Sequence, residues 1–398
     1  MKGRDIVIVA LQSWDFEIGS NARNIAREFA RHNRVMYVNP PLDRFTRIRK
    51  RNEEKTQRFL RVINKENSGL KQVEGNIWNL TPDFIAESVN WMSASFFDLF
   101  NKRNNQKFAD SIRAAMNELG FKDIILFNDN FMFGGLYLKK FLTPDIYCYY
   151  IRDYLVVQPY FGKQGKRLEP EIIRTSDVVV ANSTYLQEYA AQYNKNSFYV
   201  GQGCEVEMFD EKLVNEKPAD LANIKYPVIG YVGFLTSQRL DIPLLIHIAE
   251  QRPGWNIVLV GPEDDAFKAS KLHELKNVFF PGRKKPAELP AYVRYFDVCI
   301  NPQAINQLTI GNYPRKIDEY LAMGKPTVAT NTKAMEIFAA ETYLAATPDE
   351  YIQQITKALA ENDSALREQR VATARSHTWE NSVKDIYEAL FALSHAAL

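Results

Sequence analysis

The chain has 398 residues, of which 46% are hydrophobic and 25% are charged, a composition that is typical of globular protein and excludes long disorder or a collagen-like chain. At roughly 150 residues a domain, two or three domains are expected. Fifty Lys and Arg residues against 48 Asp and Glu residues leave a net charge of +2. This balance argues against a protein devoted to nucleic-acid binding, so no nucleic-acid partner is expected.

Strand and helix patterns alternate through the first half of the chain. Short β-branched runs predict strands, and apolar residues spaced three and four apart predict helices between them. Such alternation predicts right-handed βαβ units around a parallel sheet. The predicted strands are 5–11, 34–39, 124–128, 147–152, 178–181 and 197–200, and the predicted helices include 21–32 and 184–193.

A polar, acidic segment at 201–220 indicates a linker, after which a second series of strands and helices begins. Two doubly wound α/β domains of similar size are therefore predicted. Ligands are expected beyond the carboxyl ends of the strands, in a cleft between the domains. The second series has predicted strands at 227–232, 256–260, 278–281, 297–301 and 326–330, with helices at 241–251, 286–294, 314–323 and beyond 348.

Several classes of protein are excluded by motifs that the sequence lacks. The three cysteines, Cys148, Cys204 and Cys299, are far apart in the sequence, which argues against a disulfide framework or a structural zinc site. No hydrophobic run approaches the length of about 18 residues needed to cross a bilayer. P-loop, dinucleotide, nucleophile-elbow, H-E-x-x-H and D-x-D motifs are missing. We expect a cytoplasmic protein that uses no metal and no cofactor.

The segment 309–330 carries the most informative pattern of the chain. Pro314 is favourable at the first position of a helix, and Thr309 or Asn312 is expected to cap that end. Free N–H groups and the positive end of the helix dipole suit a phosphate there. Lys316 and Glu319 share a face of this helix. Lys316 would neutralise the phosphate charge of a nucleoside diphosphate, and Glu319 would accept hydrogen bonds from its ribose hydroxyls. An ordinary surface ion pair is the alternative.

The same segment resembles a motif of a known enzyme family. Residues 319–326, Glu-Tyr-Leu-Ala-Met-Gly-Lys-Pro, are similar to the E-x-L-A-x-G-x-P segment of GT-B glycosyltransferases. The similarity is greatest to family 4 and its relatives in bacterial capsule, exopolysaccharide and teichuronic acid biosynthesis. Further segments resemble the family in the same order along the chain, namely 202–209, 229–239, 255–261, 280–283 and 289–302.

The resemblance implies a GT-B fold, in which two Rossmann-like doubly wound domains face each other across a cleft. Residues 1–205 would form the N-terminal, acceptor-binding domain, and residues 206–378 the C-terminal domain that binds a nucleotide-sugar donor. Residues 379–398 would form a helix that crosses back to pack on the N-terminal domain. A dimerisation helix is the competing interpretation of that amphipathic segment.

The resemblance also implies which residues bind the donor. This chain has Gly311 where family 4 usually has a second glutamate, and Phe234 where the family has an arginine. We therefore expect Arg239 and Lys316 to act as catalytic groups that stabilise the leaving diphosphate, while backbone groups at 310–312 contact the sugar. Residues 283 and 284 resemble the family's loop near the base and phosphates of the donor, and an exposed basic turn without a ligand is an equal alternative for them. The expected donor-binding residues are Gly233, Arg239, Arg283, Lys284, Thr309, Gly311, Asn312, Lys316 and Glu319.

The acceptor is expected to bind the first domain. Residues 19–21 follow the first strand and would contact the acceptor or simply cap the next helix. Asp129 and Asp153 end two other strands on the same side, and either is a candidate catalytic group that orients an acceptor hydroxyl or takes its proton. Loop carboxylates without a catalytic role are the alternative. The expected acceptor-binding residues are Gly19, Ser20, Asn21, Asp129, Arg152 and Asp153.

A basic segment precedes an aromatic one in the same domain. Residues 44–61 contain eight basic residues and two acidic ones, and residues 84–100 are rich in aromatic side chains. Together they suit peripheral contact with the anionic inner face of the cytoplasmic membrane, beside a lipid-linked acceptor. A solvated loop and an amphipathic core helix are the alternative.

The sequence thus predicts a metal-independent, retaining glycosyltransferase of cell-envelope polysaccharide or glycolipid biosynthesis. The expected partners are a nucleotide-sugar donor, with a UDP-sugar favoured by family habit, and a saccharide or lipid-linked acceptor. Two alternatives stay open. One is a GT-B-fold nucleotide-sugar epimerase, which would need an acid–base pair at the donor sugar, and the other is a non-catalytic nucleotide-sugar-binding protein.

Overall fold

The computed structural model describes residues 1–15, 20–361 and 363–396. They form two compact units, one from Met1–Gly201 with Trp379–Leu398 and the other from Gln202–Thr378. The expected domain boundary after residue 205 therefore lies four residues beyond the observed division. Residues 202–205 group with the second unit, where the backbone N–H of Cys204 donates to the carbonyl of His377 at 2.8 Å.

The first unit is built around an eight-stranded sheet. Its strand order is β10-β9-β8-β7-β1-β2-β5-β4, and β3 and β6 form a separate parallel pair. All pairings in the large sheet are parallel except that of β4 with β5. The strands are β1 (Asp5–Ala10), β2 (Arg34–Val38), β3 (Leu42–Asp43), β4 (Leu70–Glu74), β5 (Ile77–Leu80), β6 (Ile85–Ala86), β7 (Ile125–Asp129), β8 (Ile146–Ile151), β9 (Val178–Ala181) and β10 (Ser197–Tyr199).

The central strands of this sheet are buried on both faces. Every residue of β1 and of β7 is buried, and Ile6 of β1 pairs with Val35 of β2 and with Ile125 of β7. A parallel strand covered on both faces is apolar throughout rather than alternating. The predicted strands of this half are confirmed to within one residue at each end.

Helices cover the sheet of the first unit. The region between β2 and β7 holds the strands β3–β6 and two helices, 44–49 and 54–63, that the sequence pattern did not predict. A long helix begins at residue 94 with Phe97 buried, which agrees with the alternative interpretation of 84–100 as an amphipathic core helix. The helices are α1 (Asn21–Ala30), α2 (Arg44–Arg49), α3 (Glu54–Ile63), α4 (Ala94–Leu119), α5 (Met132–Gly135), α6 (Leu138–Leu142), α7 (Pro159–Thr175) and α8 (Thr184–Ala191).

The second unit is a six-stranded, all-parallel sheet with helices. Its strand order is β13-β12-β11-β14-β15-β16, and the predicted strands and helices of this half are present. The strands are β11 (Val228–Val232), β12 (Asn256–Val260), β13 (Val278–Phe279), β14 (Val298–Asn301), β15 (Thr327–Thr330) and β16 (Tyr343–Ala345). The helices are α9 (Ile242–Gln251), α10 (Asp265–Lys268), α11 (Leu289–Arg294), α12 (Arg315–Ala322), α13 (Pro348–Leu359) and α14 (Ser364–Ser376).

The last helix, α15 (Trp379–Ala396), packs within the first unit. Val383, Ile386 and Leu390 are buried in the same core as Phe29 of α1. The Asn33 amide also donates to the hydroxyl of Tyr387 at 2.9 Å. The amphipathic spacing of the sequence therefore marks the face that packs on α1. The side chain of Leu393, the last apolar position of that pattern, lies outside the described residues.

No helix in the described part of the chain has the length and apolar character that a membrane crossing needs.

A fully buried arginine holds the end of the second unit together. Arg370 of α14 is 0% exposed. Its guanidinium makes two contacts with the Glu361 carboxylate at 2.5 and 2.7 Å, and its Nε donates to the carbonyl of Glu341 at 2.9 Å. The ion pair joins α14 to the segment that follows α13, and the Nε hydrogen bond joins it to the segment that precedes α13.

Replacing this arginine should destabilise the second unit strongly. Arg370→Met leaves the Glu361 carboxylate buried without its partner, which costs about 3–5 kcal/mol in free energy of unfolding. Urea unfolding of the full chain measures the loss. The matched control is Arg375→Met on the same helix, because the Arg375 side chain is 62% exposed and its removal should cost no more than about 0.5 kcal/mol. Equal effects of the two substitutions would contradict this account.

Candidate active site

The second unit contains a polar cavity of about 190 Å³, which we call the α12 cavity. It lies where β11 and β14 end and α12 begins, at the carboxyl edge of the parallel sheet. Doubly wound sheets bind their ligands at this edge. The lining residues are Tyr231, Arg239, Leu240, Asn301, Gln303, Thr309, Asn312, Tyr313, Pro314, Arg315 and Lys316.

The loop that carries Arg239 is fixed by backbone contacts to the loop that follows β14. The N–H of Ala304 donates to the carbonyl of Arg239 at 2.9 Å, and Leu240 forms an antiparallel bridge with Gln303. The Asn306 amide donates to the carbonyl of Gln238 at 2.9 Å. Although the Arg239 side chain is exposed, its backbone is thus held at the cavity.

Lys316 lies across the backbone of Gly233. A Cβ atom at position 233 would come within 2.1 Å of Cε and 2.7 Å of Nζ of Lys316. Gly233 also has φ of +150°, and a Cβ at Gly261 would lie 1.8 Å from the carbonyl oxygen of Gly233. Both positions require glycine, which lets the Lys316 ammonium lie 5.5 Å from the centre of the Tyr231 ring. Three cationic residues, 239, 315 and 316, therefore line one small cavity, and of these Arg315 forms an ion pair with Glu319.

The start of α12 differs from the expectation. Pro314 occupies the N-cap position, and no side chain caps the helix. The hydroxyl of Thr309 instead accepts from the Asn306 N–H at 3.1 Å and donates to the carbonyl of Ala304. The predicted capping role of Thr309 or Asn312 is wrong, because a tight turn within 304–309 uses the threonine hydroxyl.

Asn312 has a different place. Its side-chain oxygen is buried and has no hydrogen-bond partner among the described residues. The residue lines the α12 cavity, so this oxygen is a candidate acceptor for an O–H or N–H group of a bound molecule. A buried acceptor without a partner costs free energy, which such a hydrogen bond would recover.

Glu319 lies one turn further along α12 and outside the cavity lining. Its carboxylate pairs with Nε of Arg315 at 3.6 Å, and its side chain is 15% exposed. Burial raises the pKa of the Glu319 carboxyl, while the charges of Lys316 and Arg315 act in the opposite direction. The Arg315 Nε lies at ion-pair distance but does not form a hydrogen bond, and the predicted contact of Glu319 with ribose hydroxyls stays a prediction.

The remaining residues expected at the donor site are not part of the cavity lining. Lys284 donates to the Asp220 carboxylate at 2.7 Å and lies over the Tyr292 ring, so its charge is already balanced within the second unit. Arg283 precedes it in the turn after β13, and Gly311 is buried beside Asn312. Their proposed contacts with a donor stay predictions.

A buried network that the sequence analysis missed supports the cavity from α12. The Asp318 carboxylate is 0% exposed. It accepts hydrogen bonds from the Tyr313 hydroxyl at 2.8 Å and the Cys204 thiol at 3.0 Å, and lies 2.6 Å from Nδ1 of His377. Burial, together with the Asp318 charge, raises the pKa of the Cys204 thiol, which stays a protonated donor. The network joins Tyr313, a cavity residue, to the first and last segments of the second unit.

In the first unit, the structure brings three of the predicted acceptor residues together. Nε of Arg152 contacts the Asp129 carboxylate at 2.8 Å, and another guanidinium nitrogen contacts Asp153 at 2.7 Å. The Asp129 side chain is 0% exposed, whereas that of Asp153 is 32% exposed. Burial raises the pKa of the Asp129 carboxyl, and Arg152 acts in the opposite direction. Asp129 is therefore placed to position Arg152, and Asp153 is the carboxylate that solvent reaches.

The residues expected after β1 are only partly described. Gly19 lies outside the described residues. Ser20 occupies the N-cap position of α1 and is buried, but its side chain makes no capping hydrogen bond. Asn21 is the first residue of that helix. The alternative interpretation, capping of α1 by a side chain here, is therefore wrong for Ser20.

A second buried carboxyl supports the turn that carries Asp153. The side-chain oxygen of Asn130 accepts from the backbone N–H groups of Arg152 and Asp153 at 3.0 and 2.9 Å. The Asn130 amide donates to the Tyr149 hydroxyl at 3.1 Å, which in turn donates to Glu169 of α7 at 3.2 Å. Burial raises the pKa of the Glu169 carboxyl to about 8, with hydrogen bonds from Tyr149 and Tyr189 acting in the opposite direction.

A known family of proteins matches part of the second unit. Residues 226–361 match the family model described as glycosyl transferases group 1. The second unit is therefore similar to this family over residues 226–361. The matched region contains Arg239, Lys316 and Glu319 and all the residues that line the α12 cavity.

The chain is also similar to a bacterial protein. TuaH of Bacillus subtilis (strain 168), whose name describes a teichuronic acid biosynthesis glycosyltransferase, is 28% identical over 244 residues. The matched region covers 58% of this chain and 61% of TuaH. The chain thus spans about three-fifths of the length of this relative.

Solved structures resemble the whole chain in fold. Sucrose-phosphate synthase from Thermosynechococcus elongatus has a TM-score of 0.65 at 16% identity, over 99% of this chain and 100% of that one. HepE of Anabaena in complex with UDP has a TM-score of 0.65 at 15% identity, over 98% and 100%. An E. coli trehalose-6-phosphate structure bound with UDP-2-fluoro glucose has a TM-score of 0.66 at 12% identity, over 97% and 98%. The fold of this chain is GT-B, with a Rossmann-like sheet in each unit.

The buried Glu169 predicts a pH dependence of stability. Its pKa rises from the ordinary value of 4.5 to about 8 on folding, so the folded chain holds a proton that the unfolded chain releases. This contribution is fully present below about pH 4.5 and is lost as the pH rises through about 8. Glu169→Gln stays neutral throughout, and its unfolding midpoint should therefore overtake that of the wild type as the pH rises from about 5 to about 8.

The measurement is thermal unfolding of both proteins across that pH range. Glu171→Gln, on the same helix, is the control and should follow the wild-type profile. A difference between wild type and Glu169→Gln that does not vary with pH would contradict a proton held at Glu169.

Proposed function

We propose that this chain transfers a sugar from a nucleotide-sugar donor, favoured to be a UDP-sugar, to a saccharide or lipid-linked acceptor in cell-envelope polysaccharide biosynthesis. The observation that carries the proposal is the α12 cavity, in which Arg239, Lys316 and the open acceptor of Asn312 converge at the carboxyl edge of a Rossmann-like sheet. The match to the group 1 family, the name of TuaH and the UDP in HepE support it.

The proposed chemistry uses charges that the chain itself supplies. Breaking the bond between the anomeric carbon and the diphosphate builds negative charge on the leaving oxygens. The Lys316 ammonium and the Arg239 guanidinium would stabilise that charge, since fixed charges in a small cavity require little reorganisation. No metal is required in this proposal, and the retaining outcome is carried over from the family resemblance.

The proposed acceptor group is the Asp153 carboxylate. It is the partly exposed member of the buried network around Arg152, whose two ion pairs fix the geometry of the turn. A carboxylate at a strand end can orient a hydroxyl and accept its proton as the new bond forms. Asp129, which is fully buried, would act by holding Arg152 in place.

Nucleotide binding tests the donor site directly. At about a hundredfold excess over the dissociation constant, a ligand stabilises the folded state by about 2.7 kcal/mol, which raises the unfolding midpoint by several degrees. We expect this shift with UDP or a UDP-sugar and with EDTA present, and expect it to be smaller with GDP, TDP and ADP. Lys316→Met should weaken binding by about ten- to a hundredfold because a charge-assisted contact is lost.

Matched substitutions separate the site from general damage. Gly233→Ala should reduce the shift because its Cβ displaces Lys316, whereas Gly254→Ala has no atom within 4 Å of its Cβ and should not. Lys268→Met is the control for charge. No shift with any nucleotide would overturn the proposal. Product analysis distinguishes the glycosyltransferase from the two alternatives. An epimerase changes the donor sugar in the absence of an acceptor, and a non-catalytic binding protein forms no product.

We also propose that the first unit contacts an anionic membrane surface through residues 44–61. The helix α2 has no buried residue. Its Phe45 and Ile48 are 54% and 71% exposed, and Arg49 lies 4.5 Å from the centre of the Phe45 ring. Exposed apolar side chains among basic ones are typical of segments that lie in the membrane interface.

Vesicle flotation tests this contact. The chain should float with vesicles that contain phosphatidylglycerol and not with pure phosphatidylcholine, and added salt should weaken the association. Phe45→Ser with Ile48→Ser should abolish flotation. Leu213→Ser, which changes a side chain that is 66% exposed in the second unit, is the control. Flotation that is insensitive to both the double substitution and the lipid charge would refute the assignment.

A further inference from the structure

The first unit contains a cavity of about 220 Å³. Its lining includes none of the residues expected at the acceptor site. We call it the aromatic cavity. It lies beyond the carboxyl ends of β1, β2 and β7, where Leu11, Pro40 and Phe131 border it, and α4 forms one wall. The lining residues are Leu11, Pro40, Pro41, Asp43, Ala86, Glu87, Ser88, Val89, Asn90, Phe97, Asn101, Asn104, Asn105, Phe108, Phe131, Phe133, Gly134, Tyr160 and Phe161.

Aromatic rings form a continuous wall from the interior of this cavity to the protein surface. The ring centres of Phe97 and Phe133 are 5.4 Å apart, those of Phe133 and Phe161 are 5.7 Å apart, and those of Phe161 and Tyr160 are 4.9 Å apart. Phe97 is 0% exposed, whereas Tyr160 is 66% exposed. The wall therefore leads from solvent into the core.

The amide side chains of the lining are already bonded within the protein. Asn101 and Asn105 both donate to the carbonyl of Phe133, at 3.1 and 2.8 Å. Asn104 accepts from the N–H of Glu87 and donates to its carbonyl, each at 3.0 Å. These amides have few hydrogen-bonding positions left for the many hydroxyls of a sugar, so the chemistry of the cavity favours a hydrocarbon.

The two carboxylates of the lining also have partners within the protein. Glu87 accepts both contacts of the Arg44 guanidinium. Asp43 accepts from the Thr46 N–H at 3.0 Å and the Ser88 hydroxyl at 2.8 Å. Glu87 is therefore paired with a cation, whereas the hydrogen bonds of Asp43 come from neutral groups.

The basic helix α2 is attached to the rim of the same cavity. The N–H of Phe45 donates to the hydroxyl of Ser88, a lining residue, at 3.0 Å. Beyond Arg44, the chain continues with Arg47, Arg49, Lys50 and Arg51, which gives this rim an excess of positive charge. An apolar cavity beside a cationic rim is complementary to a molecule with a hydrocarbon chain and an anionic head.

We propose that the aromatic cavity binds the chain end of a single-chain lipid phosphate, with the phosphate held by the basic residues of α2 and the segment that follows it. A volume of about 220 Å³ is below the range of roughly 300–1,000 Å³ typical of pockets for drug-sized ligands, so the cavity holds the end of one hydrocarbon chain and not of two. The inference deepens the proposed function by naming the lipid-linked acceptor as a single-chain phosphate.

Direct binding tests the inference without the need for activity. Farnesyl phosphate, below its micelle-forming concentration, is titrated into the full chain by calorimetry, with dimethylallyl phosphate, inorganic phosphate and a short-chain phosphatidic acid as comparisons. We expect farnesyl phosphate to bind at least tenfold more tightly than each of the other three. Absence of farnesyl phosphate binding, or equal binding of phosphatidic acid, would overturn the proposal.

Two substitutions act on the cavity in opposite directions. Ala86 is buried and lines the cavity, so Ala86→Leu fills it, while Phe161→Ala removes a ring from its wall. Each should weaken farnesyl phosphate binding at least tenfold. Ala114→Leu, on an exposed position of α4, is the control and should bind as the wild type does. Wild-type affinity in both cavity variants would overturn the proposal.

The UDP-induced shift of the unfolding midpoint separates this inference from the proposed function. A variant that keeps the shift and loses farnesyl phosphate binding is folded and supports the lipid cavity. A wild-type chain that shows the shift but does not bind farnesyl phosphate overturns the lipid cavity alone. If farnesyl phosphate binds and Ala86→Leu weakens that binding, the result supports the lipid cavity, whether or not a nucleotide shifts the unfolding midpoint. If no nucleotide shifts the midpoint, the donor proposal alone is overturned.

Discussion

The close approach of Lys316 to the backbone at Gly233 is the constraint on which the second unit's site depends. A side chain at residue 233 would collide with the lysine, and one at Gly261 would collide with the carbonyl of residue 233. The two glycines thus allow β11, β12 and α12 to meet without intervening side chains. This packing delivers a cation to the edge of the sheet, where Arg239 and the open oxygen of Asn312 also lie.

Buried carboxyl groups fix the loops around each candidate site. In the second unit, Asp318 is bonded to Tyr313, which lines the α12 cavity. In the first unit, Asp129 holds Arg152, while Glu169 acts through Tyr149 and Asn130 on the turn that carries Asp153. Buried polar groups are costly unless they are satisfied. Each network therefore holds its loop in one conformation. The side chains that remain accessible, such as that of Asp153, are the ones that can contact a ligand.

The sequence predicted the central strands well because a parallel strand buried on both faces has a local signature, a short β-branched run between turns. It did not predict the strands β3–β6 or the helices α2 and α3, and it gave the start of α4 only as an alternative, a core helix within 84–100. Those elements lie between β2 and β7, where β4 is exposed or half-buried throughout and β3 and β6 have two residues each. Such short or exposed strands have no distinctive pattern. The aromatic cavity is built largely from this region, which is why the sequence showed the aromatic residues of 84–100 but not the cavity.

Local periodicity was enough to predict the order of the elements, and the contiguous motif in 309–330, which holds Lys316, carried the resemblance that implied the GT-B class. Which side chains share a cavity could be seen only in the folded chain. Folding brought Arg239, Gln303 and Asn312 together, left Lys284 paired with Asp220, and buried Asp129 completely. The physical reason is that burial and pairing depend on neighbours distant in sequence, whereas strand and helix patterns are set by residues a few positions apart.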